Sequence, residues 1–172
     1  MSKVLVIHYS HTGTSRQLAQ RLCRMQDWPG AEITEAHAGR GNWRCVLDSL
    51  LRRKPEIRYG GPPVNAFDLV VLVAPIWAYR LAGPMRSFVA LYRDQLPAVT
   101  VISTMGGSGA PNAVAEIAHM LGHAPLMSTA FTQREVADGS CAGRLQAFAT
   151  AIQSAADQQE VLRPSVWAPQ AA

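Results

Sequence analysis

The sequence has few cysteines and little charge, and both features exclude classes of protein. Only three of the 172 residues are cysteine, and Cys23, Cys45 and Cys141 form no CxxC pair. An odd and scattered set is typical of reduced thiols, so we expect neither a disulfide framework nor a metal cluster. Charged residues make up 16% of the chain and apolar residues 48%. This composition excludes a disordered protein and fits a globular domain with a full core.

Long apolar runs are also missing. The apolar run near the N-terminus is interrupted by His8 and Ser10, which makes it too short for a signal peptide or a membrane span. We therefore expect a cytoplasmic protein without membrane insertion. The net charge is +4, and six of the sixteen basic residues lie between Arg40 and Arg58. No helix-turn-helix, OB-type or RNP-like pattern accompanies them, so nucleic acid is not an expected partner.

Short β-branched runs alternate with helical segments along the chain. Strands are predicted at 3–8, 31–36, 68–74, 99–103 and 126–131, and helices at about 14–25, 42–54, 82–93, 111–121 and 139–156. Such an alternation predicts a three-layer α/β sandwich with a five-stranded parallel sheet, for which we expect the strand order 2-1-3-4-5. The domain is predicted to cover residues 1–158, followed by a loosely attached tail at 159–172.

In a sheet of this order, the loops after strands 1, 3 and 4 meet at one edge, where ligands bind. The first loop, from Ser10 to Ser15, offers hydroxyls, a glycine and the start of a helix, a combination that favours an anion. It has neither the Gly-Lys-Ser/Thr of a nucleoside-triphosphate loop nor GxGxxG, so a monophosphate fits better than a di- or triphosphate. The alternative interpretation is an ordinary helix N-cap.

The second and third loops are each ambiguous when taken alone. The segment from Ala74 to Arg80 contains Trp77 and Tyr79, which can form a wall for a planar heterocycle or can simply cover the sheet edge. The segment from Thr104 to Gly109 has three glycines, which can leave backbone open to a ligand or form an ordinary flexible turn. Together, the three loops favour one phosphorylated, flat ligand.

These motifs resemble those of the flavodoxin family. Ser10-x-Thr12-Gly13-x-Ser15 resembles the family's FMN phosphate loop, (S/T)-x-T-G-x-(S/T). The Pro75-Ile76-Trp77 segment, with Gly83-Pro84 and Phe88 downstream, resembles the second flavin loop of the smaller bacterial flavodoxin-like proteins. The third loop is similar to theirs as well. The resemblance covers about residues 3–155 and implies a flavodoxin-like fold with FMN as the cofactor.

The resemblance also implies which residues would hold FMN. Those that would hold the phosphate are Ser10, His11 (mainly through its backbone), Thr12, Gly13, Thr14 and Ser15. Those that would line one side of the isoalloxazine are Pro75, Ile76, Trp77 and Ala78. Those that would line the other side are Thr104, Met105, Gly106 and Gly107, with Ser108 at the margin. We expect no metal ligands and no separate catalytic residue, because the flavin carries the redox chemistry.

Two functions follow from the resemblance. The first is an NAD(P)H-dependent oxidoreductase that reduces quinones or similar acceptors. The second is a non-catalytic electron carrier that docks on a redox protein. A flavin-free receiver-like domain is disfavoured, because His8, Tyr9 and Ser10 stand where such a domain has acidic residues. A homodimer is compatible with either function.

The sequence departs from the family in two ways. Typical flavodoxins are acidic, whereas this chain carries a net charge of +4, so we expect full reduction of the flavin at a less negative potential than theirs. Related proteins often have glycine after the loop tryptophan, where this chain has Ala78. Because alanine enters left-handed backbone conformations at a cost, we expect weaker stabilisation of the one-electron-reduced flavin.

Overall fold

The structure is a computed structural model that describes residues 2–36 and 54–162. The strands are β1 (Val4–His8), β2 (Gly30–Glu35), β3 (Ile57–Tyr59), β4 (Leu69–Trp77), β5 (Arg80–Leu81), β6 (Ala98–Met105) and β7 (Met127–Thr132). The helices are α1 (Thr14–Gln26), α2 (Gly83–Tyr92), α3 (Ala110–Leu121), α4 (Gln133–Asp138) and α5 (Ala142–Leu162), with a 3₁₀ turn at Val64–Ala66. The predicted helix at 42–54 and most of the basic segment lie outside the described residues.

The strand order confirms the predicted topology. The five parallel strands lie in the order β2-β1-β4-β6-β7, which is the predicted order 2-1-3-4-5. Two short antiparallel strands extend this sheet: β3 pairs with β2 at one edge, and β5 folds back on the end of β4. Sequence patterning missed both, because runs of three and two residues are too short to show an alternation of period two.

Helices cover both faces of the sheet, which confirms the three-layer sandwich. Alternate residues of β1 point to opposite faces. Leu5 and Ile7 belong to the core that includes Phe88 of α2 and Ile117 of α3. Residues from the other face of the sheet pack with α1 and α5, and they include Val4, Val6, Leu18, Leu22, Leu145 and Ile152. This two-sided burial explains why the central strands read as continuous apolar runs.

The closing helical region differs from the prediction of one helix at 139–156. Helix α4 begins after Thr132, whose hydroxyl accepts a hydrogen bond from the Glu135 amide at 3.2 Å. The Glu135 carboxylate accepts one from the Thr132 amide at 2.7 Å, which completes a capping box. Gly139, at φ 81°, ends this helix, and α5 begins at Ala142. The Thr-x-x-Glu sequence is the signal for this extra helix start.

Helix α5 extends to Leu162, beyond the predicted domain boundary at 158. The tail at 159–172 therefore stays a prediction, since residues 163–172 lie outside the described part of the chain. Within the described ranges, none of the helices combines the length and hydropathy that a membrane span requires.

Candidate functional site

Strand register brings the three predicted loops to one edge of the sheet. His8, the last residue of β1, lies opposite Val73 of β4, and Pro75 of β4 lies opposite Thr104 of β6. The loops that follow these strands therefore leave the sheet side by side. The candidate site is the surface formed where they meet.

A buried hydrogen bond joins the first loop to the third. The hydroxyls of Ser15 and Thr104 lie 2.7 Å apart, and the two residues are 1% and 2% exposed. Ser15 is the second residue of α1 and Thr104 lies near the end of β6. In this structure, the two hydroxyls bind each other beneath the surface, so they fix the relative position of the two loops.

The first loop leaves the start of α1 open. Gly13 is the N-cap of α1 at φ 94°, a left-handed conformation that glycine adopts without strain, and its cap position makes no side-chain hydrogen bond. The Gly13 amide donates to the Ser10 hydroxyl at 3.1 Å, and the hydroxyls of Thr12 and Thr14 lie 3.5 Å apart. A Cβ at Gly13 would meet nothing within 4 Å. Helix amides and hydroxyls thus surround a space that suits an anion.

Aromatic contacts join the second loop to the first. Strand β4 continues to Trp77 rather than ending at residue 74 as predicted. The Trp77 ring packs edge-on against Tyr9 at 5.9 Å and against His11 at 5.6 Å between ring centroids. Trp77 is half-buried, whereas Pro75 and Ile76 are buried within the strand. The exposed part of the loop is therefore formed by Ala78 and Tyr79, with half-buried Trp77 beside them.

The turn that follows Trp77 has an unusual backbone. Trp77 pairs with Arg80 across a hairpin, and the two turn residues, Ala78 and Tyr79, have φ values of 47° and 64°. Positive φ at both positions is the pattern of a type I′ turn, which normally takes Asn-Gly. Ala78 is thus already left-handed in this structure. The expectation of weaker stabilisation of one-electron-reduced flavin, which rests on the cost of this conformation for alanine, stays a prediction.

The third loop contacts this turn directly. Gly109 has φ 110°, and a Cβ there would lie 2.9 Å from the Tyr79 Cα. Only glycine allows the two backbones to approach so closely. Gly106 and Gly107 are exposed, and a Cβ on either would meet nothing within 4 Å. Together with Ser108, they form an open backbone strip beside the turn.

A cavity of about 690 Å³, which was not predicted from the sequence, lies beside this turn. Its walls come from the hairpin at Ala78–Arg80, from one side of α3, and from Lys54 and Arg86. Of the predicted site residues, Ala78 alone lines it. The sequence signal was a stripe on α3 at helical spacing, formed by Asn112, Ala115, Glu116 and His119.

One titratable group lies beneath the first loop. His8 ends β1 two residues before Ser10 and is 8% exposed. Burial lowers the pKa of His8 below the usual 6.5, although the Glu32 carboxylate, 3.9 Å from its Nε2, acts in the opposite direction. Burial therefore favours the neutral form of the His8 imidazole, close to the loop that begins at Ser10.

Comparison with known proteins supports the fold. No family model matches the sequence, and a search of curated proteins finds no match. A flavoprotein from Lactobacillus acidophilus NCFM, crystallised in complex with FMN, is 19% identical with a TM-score of 0.68 over 81% of this chain and 99% of that one. A putative flavoprotein from Bacteroides eggerthii DSM 20697 is also 19% identical, with a TM-score of 0.65 over 80% and 95%. A WrbA-like flavodoxin from Agrobacterium tumefaciens is 10% identical, with a TM-score of 0.56 over 92% and 99%.

At these identities the likeness concerns the fold, and the predicted flavodoxin-like fold is confirmed.

Proposed function

We propose that this chain binds one FMN at the edge where its three loops meet and acts as a redox protein through it. The observation that carries the proposal is the direct contact among the loops: the Ser15–Thr104 bond, the packing of Trp77 on His11, and the approach of Gly109 to Tyr79. The FMN complex of the Lactobacillus acidophilus neighbour, which shares the fold, supports it further.

The residues of the site fit the two ends of this cofactor. Thr12, Gly13 and Thr14 surround the open start of α1, where amide N–H groups and the helix dipole favour a phosphate. We expect Gly106 and Gly107, around which the space is open, to lie on one side of the ring, and Trp77 with Ala78 to lie on the other. Bound FMN would supply reversible one- and two-electron chemistry, and the chain's part is to orient the ring.

We favour an NAD(P)H-dependent oxidoreductase that reduces quinones or similar acceptors. The cavity of about 690 Å³ beside Ala78 supports this function, because its size is typical of small-molecule sites. The second candidate is an electron carrier, supported by the net charge of +4, which would attract an acidic protein partner. A cytoplasmic location and a homodimer remain predictions.

An FMN titration with matched glycine variants tests the cofactor site. Gly107→Ala places a methyl group in open space, so the protein should fold normally while the methyl obstructs the ligand. We expect the Kd for FMN to rise about tenfold, equivalent to about 1.4 kcal/mol. Gly60→Ala is the control, because its methyl also meets nothing within 4 Å but lies outside the predicted site. Equal FMN affinity in both variants, or no binding by the unmodified protein, would contradict the proposal.

Anaerobic mixing of the FMN-loaded protein with NADPH and then with NADH separates the two functions. Rapid bleaching of the flavin absorbance indicates an oxidoreductase. Absence of bleaching, followed by reduction once a flavodoxin reductase is added, indicates a carrier.

A further inference from the structure

We infer that the cavity beside the hairpin turn binds a small organic anion, with a carboxylate or phosphate on a flat apolar body. We infer that the ligand is an anion from the shape of the cavity and the charges that line it. Its role as a substrate site rests on the proposed function, because Ala78 lines the cavity and is also a predicted flavin contact.

One wall of the cavity is a regular stripe of α3. Asn112, Ala115, Glu116, His119 and Met120 all line it, and their spacing of three and four residues places them on one side of the helix. Ala115 and Met120 supply apolar surface there. Tyr79, which is 62% exposed, supplies an aromatic surface from the turn. A flat apolar body therefore finds complementary walls.

A buried ion pair fixes the hairpin against this wall. Arg86 of α2 is 2% exposed, and its Nε donates to the Glu116 carboxylate at 2.6 Å. Its guanidinium also donates to the Leu81 carbonyl at 2.9 Å, and the Leu81 amide donates to Glu116 at 3.3 Å. Because Arg86 neutralises Glu116, this carboxylate repels an incoming anion much less than a free one would.

The remaining charges of the cavity are positive. Lys54 and Arg80 line it, and neither forms an ion pair with an acidic side chain in the described part of the chain. Arg80 is half-buried on β5, which the Leu81 hydrogen bonds hold in place. Two cations that line the same cavity as this apolar surface are suited to an acid group, and a guanidinium binds carboxylate or phosphate through two parallel hydrogen bonds.

Two sources have this chemistry: the phosphates of a pyridine nucleotide and the acid group of a substituted quinone. Calorimetric titration with two probes distinguishes them, one being adenosine bisphosphate and the other anthraquinone carboxylate. The neutral hydroxymethyl anthraquinone is the matched ligand control. Each titration uses the full chain, once as purified and once with saturating FMN added.

We expect at least one anionic probe to bind, and Arg80→Gln to weaken its binding about tenfold, as for one lost charge-assisted hydrogen bond. Lys54→Gln should weaken binding in the same direction, and the neutral probe should be insensitive to both changes. Arg93→Gln is the control, because Arg93 is exposed and pairs with Asp94 at 3.1 Å outside the cavity. The inference is overturned if neither anion binds, or if Arg80→Gln and Arg93→Gln bind the anion equally.

Measuring FMN affinity in the same variants separates this inference from the proposed function. Arg80→Gln should leave the Kd for FMN unchanged, because Arg80 is not among the predicted FMN contacts and pairs with Trp77 through the backbone. If Arg80→Gln weakens FMN and the probes alike, the cavity belongs to the flavin site and the inference is overturned. If the protein binds an anionic probe through Arg80 but takes up no FMN, the anion site stands and the proposed function fails.

Discussion

The left-handed turn at Ala78 provides a sharp test of the structure, because replacing alanine by glycine there should stabilise the protein. Ala78 has φ 47° and is exposed, so its methyl group gains little from burial. A left-handed conformation costs an L-residue roughly 1–2 kcal/mol. Glycine avoids that cost but loses roughly 0.4–1 kcal/mol through the greater freedom of the unfolded chain. The net gain for Ala78→Gly is therefore roughly 0.5–1 kcal/mol.

Urea and thermal unfolding of the purified protein measure this gain. For a chain of this size, the corresponding rise in Tm is about 1–4 °C. Ala151→Gly is the matched control, since Ala151 is exposed in the interior of α5. Glycine there should destabilise the protein by about 1 kcal/mol. The same chemical change thus has opposite expected signs at the two positions.

Loss of stability in Ala78→Gly, comparable to that in Ala151→Gly, would refute the reasoning. It would mean that the backbone at residue 78 is not left-handed in solution.

Four further predictions concern the core, the site and the flavin. Glu116→Gln should lower the free energy of unfolding by about 3 kcal/mol, because it leaves the Arg86 side chain, 3% exposed, without its carboxylate partner. Urea unfolding measures this loss. A loss smaller than that caused by a substitution at the surface would contradict the prediction. Thr104→Val should cost about 1–3 kcal/mol by leaving the buried Ser15 hydroxyl without its partner, and adding Ser15→Ala should recover most of the loss. Because burial lowers the pKa of His8, this histidine binds a proton more readily in the unfolded chain, so the free energy of unfolding should fall as the pH drops below 6.5. His8→Leu should flatten this part of the curve of stability against pH. An unchanged curve would exclude His8 as the cause of the pH dependence. The FMN-loaded protein, with its net charge of +4, should reach full reduction at a less negative potential than acidic flavodoxins, which a reductive titration against a reference dye measures.

The parallel sheet could be predicted because its signals are local and strong. Strand β4 is rich in β-branched residues and buried on both faces, and helices α1, α2 and α3 follow β1, β4 and β6 along the chain, so the order and layering follow from general rules of chain connection. The convergence of the loops after β1, β4 and β6 follows from the same order. The meeting of the three loops could therefore be predicted from the sequence, whereas the residues that bind FMN there stay a prediction.

The hairpin and the cavity could not be predicted, because their signals are weak or not local. Ala78-Tyr79 lacks the Asn-Gly of a typical type I′ turn, so nothing in the sequence marks the turn. The cavity requires side chains of α3 to meet Arg86 and Arg80 from other elements. Such a meeting depends on how the helices pack, which a strand-and-helix pattern does not specify.

Gly109 lies so close to the backbone of Tyr79 that the residue allowed at position 109 and the shape of the hairpin depend on each other. A side chain at position 109 would displace the hairpin, and a hairpin of different shape would remove the need for glycine there. Relatives of this protein with a longer or shorter hairpin should therefore be free to vary at this position, whereas those that keep a two-residue turn should retain the glycine. Libraries that diversify the rim of the site should accordingly keep Gly109, and at residues 78 and 79 they should use side chains that tolerate positive φ.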